Sequence, residues 1–528
     1  MKLLRVRKDS YHDSVFLMLA TQELKASGGV REAVVAMGTD MNRDLLSGMG
    51  FGGPDLDGAG PNDLLVAVEA QDAAKAEAAL DRALELVDRK KASSASGLGG
   101  SGLTRTGSLD AALSRLPKAN LAVISLPGAY AAREARKALE KGLHVMLFSD
   151  NVSLEEEVDL KRRAAAKGLL VMGPDCGTAI VNGQPLCFAN VVRSGGVGVA
   201  AASGTGLQEV TCLVDRYGAG ISQAVGTGGR DLKNPEVGGR TMLLTIAALA
   251  ADPATSVIVV ISKPPAPETA KAVMDALARS GKPCVVHFLG LSDPSVLGKP
   301  AADIQIASDL EDCARRAAAL SLGRAYKPVD WDLPESEISQ IIDRESAGFS
   351  PSQKHLRGLY TGGTLADEAL FLLQPLLGPI WSNNQTNPAL VPPDPQVSRE
   401  HTIVDLGDDV FTVGRPHPMI DPSTRTDRLD AEAEDPSVAV LLLDLVLGYG
   451  SHPDPAGALV PHIQAAREKA AARGGRLSVV ASVTGTPSDF QGFEEQKRKL
   501  QAAGVVVMPS NSQAARLSAR ILQKGAAR

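Results

Sequence analysis

Two patterns of apolar residues alternate along this chain. Short β-branched runs that are apolar throughout alternate with segments whose apolar residues recur at helical spacing. Such runs are typical of strands buried on both faces of a parallel sheet, with helices as the crossovers between them. The sequence therefore predicts an α/β protein, and its 528 residues are more than one core supports, so we expect several domains.

The first ninety or so residues predict a small α+β domain. The predicted strands are 2–7, 30–36 and 63–69, and the predicted helices are 11–25, 42–48 and 72–88. Residues 91–102 are rich in Ser and Gly and too polar to bury a core, which indicates a flexible linker. A domain boundary is expected there.

Three parallel-sheet domains are predicted after the linker. Strands 121–126, 144–148 and 169–172 alternate with two helices in a Rossmann-like unit, and strands 195–201, 257–261 and 283–287 begin a second unit. Residues 324–351 have weak apolar periodicity and several prolines, as in a connector, and the strand–helix pattern then resumes. The predicted segments are an α+β domain (1–92), a linker (93–106), a Rossmann-like domain (107–184), a flavodoxin-like domain (185–323), a connector (324–352) and a second flavodoxin-like domain (353–528).

An internal repeat links the last two domains. Ser203-Gly204-Thr205 is followed by Glu209, and Gly362-Gly363-Thr364 is followed at the same spacing by Glu368. Each segment follows a predicted strand and opens a predicted helix. Later strands correspond in order: 222–225 with 402–406, 257–261 with 438–443, and 284–288 with 477–483. The chain is therefore predicted to contain two copies of one flavodoxin-like fold.

The two repeated turns are candidate phosphate sites. A glycine turn at the carboxyl end of a parallel strand lets an anion approach the first amides of the next helix, and a hydroxyl adds a donor. The candidate ligands are Ser203, Gly204, Thr205, Gly362, Gly363 and Thr364. Helix capping closed by the later Glu is the alternative for each turn taken alone. Two copies at matching strand ends favour a binding site.

Other strand ends carry further candidates. Gly228, Gly229 and Arg230 follow the strand at 222–225, where the arginine can clamp a phosphate or carboxylate; the alternative is a solvated turn. The loop 414–422 and the residue Arg425 just beyond it can present Arg415, His417 and Arg425 to an anionic substrate. His452 lies in another Gly- and Pro-rich loop. His417 and His452 are the candidate acid–base residues.

Charge and composition narrow the class of ligand. A formal net charge of -6 gives no basic field for a nucleic acid or an anionic membrane. No apolar run is long enough for a membrane span or signal peptide, and five cysteines without a C-x-x-C pair indicate a reducing, cytoplasmic location. No metal-ligand spacing is present, so no metal is expected. A small anionic substrate and protein partners are the expected ligands.

Several of these segments resemble a known family. Gly173-Pro174-Asp175-Cys176-Gly177, the Ser203 turn and the glycines at 226–229 are similar, in order, to signature segments of the succinyl-CoA synthetase α chain. The closer resemblance is to the FdrA family, in which an α-chain-like core is joined to a second CoA-ligase domain; the Gly362 turn and residues 414–422 are similar to that family's patterns. By this resemblance, Glu209 matches the glutamate that orients the synthetase's phosphohistidine.

Two departures from the synthetase change the expected chemistry. Leu-Gly-Leu-Ser-Asp-Pro at 289–294 replaces the loop that carries the phosphorylated histidine, and the small α+β domain stands in place of the Gly-rich half of the CoA-binding domain. The chain also has no segment resembling an ATP-grasp domain. A covalent shuttle of phosphate from a nucleotide is therefore not expected of this chain alone.

The resemblance implies a subunit of a phosphate-dependent acyl or carbamoyl transferase. The expected ligand is phosphate or an acyl or carbamoyl phosphate, with no certain cofactor and with CoA left open. The FdrA family is implicated in carbamoyl transfer of the oxamate type in purine-ureide breakdown, with companion subunits, so a homo- or hetero-oligomer is expected. The alternatives are an NDP-forming acyl-CoA synthetase with an ATP-grasp partner, and a non-catalytic scaffold.

Overall fold

A computed structural model describes residues 1–10, 12, 14–25, 27–95, 106–291, 294–413 and 415–526. The chain divides into two compact units. The smaller one contains Met1–Ala112 and Asp409–His417, and the larger one contains Leu113–Asp408 and Pro418–Arg528.

The amino-terminal region of the smaller unit is the predicted α+β domain. Its elements, with the first helix after it, are β1 (Lys2–Arg7), α1 (Ser14–Lys25), β2 (Val30–Met37), α2 (Asp40–Gly48), α3 (Pro54–Asp57), β3 (Leu64–Ala70), α4 (Ala73–Ala95) and α5 (Leu109–Arg115). The sheet is antiparallel, in the order β1-β3-β2. Helix α4 continues to Ala95 and so occupies the start of the predicted linker; residues 96–105 lie outside the described residues.

A three-stranded parallel sheet begins the larger unit. Its elements are β4 (Leu121–Ile124), α6 (Gly128–Glu140), β5 (His144–Leu147), α7 (Leu154–Ala166) and β6 (Val171–Met172), with the strand order β4-β5-β6. Ser153 caps α7 by accepting a hydrogen bond from the Glu156 amide, and three glutamates in the first turn complement the positive end of the helix. The predicted Rossmann-like strands are present here.

A seven-stranded sheet follows. Its elements and the two helices that end this region are β7 (Thr178–Val181), β8 (Gln184–Cys187), β9 (Ser194–Ala202), α8 (Gly204–Arg216), β10 (Ile221–Gly226), α9 (Arg240–Ala251), β11 (Val257–Ser262), α10 (Pro267–Ala278), β12 (Cys284–Phe288), β13 (Ile304–Ile306), α11 (Leu310–Ser321) and α12 (Glu335–Ser346). The strand order is β13-β12-β11-β9-β10-β7-β8.

Two features of this region differ from the predicted segments. The boundary expected at residue 184 falls inside the β7–β8 hairpin, because β7 pairs with β10 and belongs to the seven-stranded sheet. The expected connector 324–352 contains helix α12. Only Ile338 and Ile342 bury apolar side chains along that helix, so its periodicity extends over a single turn and is too weak to read from sequence.

A six-stranded parallel sheet completes the larger unit. The remaining elements are β14 (His355–Tyr360), α13 (Gly363–Leu377), β15 (Trp381–Ser382), β16 (Thr402–Asp405), α14 (Asp409–Thr412, in the smaller unit), α15 (Ser423–Glu432), β17 (Val438–Val446), α16 (Pro455–Ala472), β18 (Ser478–Thr484), α17 (Phe493–Ala502), β19 (Val506–Met508) and α18 (Asn511–Ala526). The order is β15-β16-β14-β17-β18-β19.

The strand orders confirm the internal repeat. In the first copy (β9 to α11) the order is β10-β9-β11-β12-β13, and in the second copy (β14 to α18) it is β16-β14-β17-β18-β19. Both are the 2-1-3-4-5 order of flavodoxin-like folds. The predicted α/β fold class is therefore confirmed.

The two copies share one hydrophobic core. A single cluster of buried side chains includes Leu213 of α8, Ala317 of α11, Leu370 of α13 and Ile521 of α18. The faces of the sheets that carry these helices therefore pack together and exclude water as one body. Within the described residues, no helix has the length and apolar character needed to cross a membrane.

Candidate functional site

The two repeated turns contact each other where the copies meet. Ser203 caps α8 by accepting a hydrogen bond from the Gly206 amide (3.1 Å), and its hydroxyl lies 2.7 Å from the Thr364 hydroxyl at the start of α13. A Cβ at Gly362 would lie 3.0 Å from Thr205, so that glycine permits the close approach. The structure thus brings all six predicted turn residues into one region, which we call the junction.

The two turns differ in how open they are. Gly204 is exposed and Thr205 half-buried, so the first two residues of α8 reach the surface, whereas the Gly206 amide is already bonded to the Ser203 hydroxyl. In the second copy Gly362 and Thr364 are buried. The first turn is therefore the more accessible of the two.

An internal carboxylate already occupies the second turn. Asp444 accepts hydrogen bonds from the amides of Thr361 (2.9 Å) and Gly362 (2.8 Å). The Arg425 guanidinium lies 3.2 Å from the same carboxylate. Because a carboxylate satisfies these donors, an exogenous anion has less to gain here than the sequence suggested.

Glu209 and Glu368 each cap a helix of the other copy. The Glu209 carboxylate accepts from the Asn511 amide at the start of α18 (3.1 Å) and from the Thr484 hydroxyl. The Glu368 carboxylate accepts from the Leu310 amide at the start of α11 (2.8 Å). Each glutamate therefore caps the last helix of the other copy, whereas the sequence suggested that each would cap its own helix.

Burial controls the protonation of these two glutamates. It raises the pKa of Glu209, against the hydrogen bonds from Thr484 and Asn511. Burial, with nearby Asp309, raises the pKa of Glu368 to about 8. Glu209 is only 1% exposed, so the position matched to a phosphohistidine-orienting glutamate is inside the shared core.

A polar cluster lies beside the junction at the start of α13. Lys263, which follows β11, pairs with Asp367 of α13 at 2.6 Å. Asn384 donates to Asp367 (2.9 Å) and to Asp405 at the end of β16 (3.2 Å). Lys263, Asp367 and Asn384 were not among the predicted residues; a polar residue directly after an apolar strand was the available signal for Lys263.

Arg425 and His452 line one small cavity on the other side of the second turn. The cavity has a volume of about 10 Å³, room for one water-sized group, and Thr361 and Met419 also line it. Arg425 is 3% exposed; its Nη2 is the atom 3.2 Å from Asp444, in an ion pair without hydrogen-bond geometry, and its Nε has no hydrogen-bond acceptor among the described residues. His452 accepts from the Asp454 amide through Nδ1 (3.0 Å). The structure therefore brings together two of the predicted residues, Arg425 and His452.

Arg230 has a different environment from the one predicted. In place of an anion clamp or a solvated turn, it pairs with Glu157 of α7 (2.7 Å), within a network in which buried Lys161 pairs with Glu157 and Asp231. A Cβ at Gly228 would lie 2.7 Å from the Pro174 carbonyl oxygen, so this glycine serves packing. Gly229 has open space around it. These residues join the three-stranded and seven-stranded sheets.

Arg415 and His417 belong to the smaller unit. Arg415 is exposed, and burial lowers the pKa of His417 to about 4, so its imidazole is neutral at pH 7. Their shared role with Arg425 remains a prediction.

Comparisons with known proteins agree with this architecture. A family model described as CoA-ligase matches residues 359–521, and one described as AllF, heavy metal-associated domain, matches residues 1–102. The segment that matches the heavy metal-associated domain contains no cysteine, since the first cysteine of the chain is Cys176. The Escherichia coli (strain K12) "Uncharacterized protein YahF" is 42% identical over 98% of each chain.

Two ligase subunits are similar over shorter spans. The ADP-forming sulfoacetate-CoA ligase subunit SauD of Bilophila wadsworthia is 28% identical over 28% of this chain and 50% of its own. The α subunit of the ADP-forming succinate–CoA ligase of Aquifex aeolicus is 26% identical over 33% of this chain and 58% of its own. The full-length similarity, the CoA-ligase match and the two flavodoxin-like copies show that the chain belongs to the FdrA family of succinyl-CoA synthetase-like proteins.

Proposed function

We propose that this chain is the phosphate-handling subunit of an acyl- or carbamoyl-transferring enzyme, acting with companion subunits. Phosphate at the start of α8 attacks, or is displaced from, the carbonyl carbon of an acyl or carbamoyl group, so that the group is carried as a mixed anhydride. Carbamoyl transfer of the oxamate type in purine catabolism is the specific form we propose.

The contact between the two turns is the observation that supports this proposal. The contact sets the start of α13 against the start of α8. Strand pairing sets the end of β11 beside the start of α8, because β9 and β11 are paired up to Ala202 and Ser262. Lys263 follows directly, and its side chain is 42% exposed. A helix amino terminus binds phosphate through its free amides, and Lys263 adds its charge where phosphate takes the place of Asp367 as its partner.

Direct transfer also suits the segment after β12. Residues 289–294 contain no histidine, and Gly290 packs so closely on Phe371 of α13 that a Cβ there would collide with the ring. Apolar packing thus occupies the strand end at which the resemblance places the phosphohistidine loop. Phosphate moving directly between bound groups requires no such loop.

The second candidate is an NDP-forming acyl-CoA synthetase that takes its nucleotide site from an ATP-grasp partner. The CoA-ligase match and the similarity to ligase subunits favour it. It requires CoA binding, which the first candidate does not. A non-catalytic scaffold requires neither ligand.

Calorimetric titration with phosphate, carbamoyl phosphate and CoA separates these candidates. Thr205→Val removes the hydroxyl at the first turn and keeps the shape of the side chain. We expect phosphate and carbamoyl phosphate to bind roughly 10-fold more weakly, through the loss of one hydrogen bond to a charged group. Thr245→Val is the matched control, since the Thr245 hydroxyl in α9 makes no hydrogen bond among the described residues.

Each outcome selects one candidate. Phosphate binding that weakens only in Thr205→Val supports phosphate-linked transfer. Binding of CoA without phosphate selects the synthetase. An intact complex whose transfer activity is unchanged by Thr205→Val and by Lys263→Met contradicts both catalytic candidates and selects the scaffold.

A further inference from the structure

We propose that Asp405 carries the proton of the transfer reaction; this rests on the proposed function. The carboxylate lies at the end of β16, beside the start of α13. Its Oδ2 would be 2.5 Å from a Cβ at Gly363, so the glycine makes room for it. Asn384 donates to Oδ2, and the Gly407 amide donates to Oδ1 (2.9 Å).

The fold itself does not require a carboxylate at this position. Asp405 pairs with Tyr360, two residues before the cap of α13, and in the first copy Gly226 pairs with Ala201, two residues before the cap of α8. Gly226 therefore stands where the second copy has Asp405. Since the same fold is built with glycine there, the carboxylate is free to serve chemistry.

The charges around Asp405 leave it poised between its two protonation states. Lys263 bonds Asp367 rather than Asp405, and Asp408 adds a further negative charge near that lysine. Burial, reinforced by Asp367 and opposed by Lys263, raises the pKa of Asp405 to about 7. A group with a pKa near the working pH is the most effective acid–base catalyst.

The step balances with an acceptor that bears an N–H or S–H group. The acceptor's electron pair forms the new bond to the carbonyl carbon, the bond from that carbon to the phosphate oxygen breaks, and phosphate leaves with the electron pair. The Asp405 carboxylate takes the acceptor's proton. In the reverse direction, phosphate attacks and Asp405 returns the proton to the departing nitrogen or sulfur.

Proton uptake on anion binding tests this assignment. Inorganic sulfate is a suitable probe because it is a dianion that does not titrate near pH 7, and binding enthalpies in buffers of different ionisation enthalpy give the number of protons taken up. A dianion at the junction raises the pKa of a neighbouring carboxyl, so we expect an uptake of roughly half a proton at pH 7. Asp405→Asn should bind sulfate without this uptake, while Asp252→Asn, outside the junction, should keep it.

A second variant retains Asp405, so it tests the assignment even if Asp405→Asn does not fold. Asn384→Ala removes a donor to the ionised carboxylate, and the pH midpoint of proton uptake should therefore move upward. Sulfate binding with no uptake in the wild type, equal uptake in Asp405→Asn, or an unmoved midpoint in Asn384→Ala would each overturn the role of Asp405 and leave the phosphate site standing. Failure of both sulfate and phosphate to bind would instead overturn the proposed function and this inference with it.

Discussion

The first and second copies place the same turn in opposite electrostatic surroundings. Strand pairing sets Gly226 and Ile261 beside the first turn, and Asp405 and, one residue beyond the paired segment, Asp444 beside the second. The first turn has no carboxylate on these two neighbouring strands, whereas the second has one on each side. The duplicated fold has thus left one turn without carboxylates on its neighbouring strands and flanked the other with two.

The difference between the two copies should affect stability most at Asp444. Asp444→Ile introduces the residue that the first copy has at the matching position, Ile261, and leaves Arg425 buried without its partner. We therefore expect the free energy of unfolding to fall by about 3–5 kcal/mol. Urea unfolding measures this. In Asp444→Ile/Arg425→Met much of the loss should return; an equally unstable double variant would contradict a charge-based explanation.

The reverse exchange tests whether the first copy can hold a carboxylate. A Cβ at Gly226 would lie 2.6 Å from both the Cys176 sulfur and the Thr178 carbonyl oxygen. Gly226→Asp should therefore lower the unfolding free energy by about 1–3 kcal/mol through overpacking. Gly229→Asp, in open space on the loop that follows β10, is the control in thermal unfolding, and equal losses in both variants would refute this explanation.

The crossed caps predict a pH dependence. The folded-state pKa of Glu368 is raised to about 8 from an ordinary 4.5, so its contribution to stability is complete below about pH 4.5 and is lost as the pH rises toward 8. In Glu368→Gln the free energy of unfolding should decrease less steeply with pH, by up to about 1.4 kcal/mol per pH unit between pH 4.5 and 8. Unfolding measured from pH 5 to 8 should show a flatter curve for the variant; parallel curves would contradict the shift.

The smallest effect is expected at the bond that joins the two turns. Ser203→Ala removes the cap of α8 and the contact with Thr364, at a cost of about 1 kcal/mol. Ser153→Ala removes an ordinary cap at the start of α7 and should cost no more than this. A larger loss in Ser153→Ala would show that the contact between the turns contributes nothing to stability.

Apolar periodicity was sufficient to predict most of the strands and the repeat. The predicted strand 2–7 coincides with β1 and 257–261 differs from β11 by one residue, since long apolar runs report burial locally. Helix α12 was missed because most of its face is exposed. The boundary expected at residue 184 divides the β7–β8 hairpin, because the pairing partner of β7, β10, lies about forty residues further on.

For the site, the sequence identified the turns but not their surroundings. Both turns were found because glycine and hydroxyl residues adjoin each other in the chain. Lys263, Asp367 and Asp405 meet across more than a hundred residues and two copies, which no local spacing reveals. The pairing of Arg230 with Glu157 was not predicted because Glu157 is 73 residues away, in helix α7.

By itself, the sequence determined the α/β class, the duplicated fold and the glycine turns, because these depend on burial pattern and backbone freedom along contiguous residues. Only the tertiary structure decided that the two turns touch, that Glu209 and Glu368 cap each other's copies, and that carboxylates surround one turn alone. Those outcomes depend on which strand ends and helices become neighbours. Charges and burial act on a residue according to distance in space, whatever the separation along the chain.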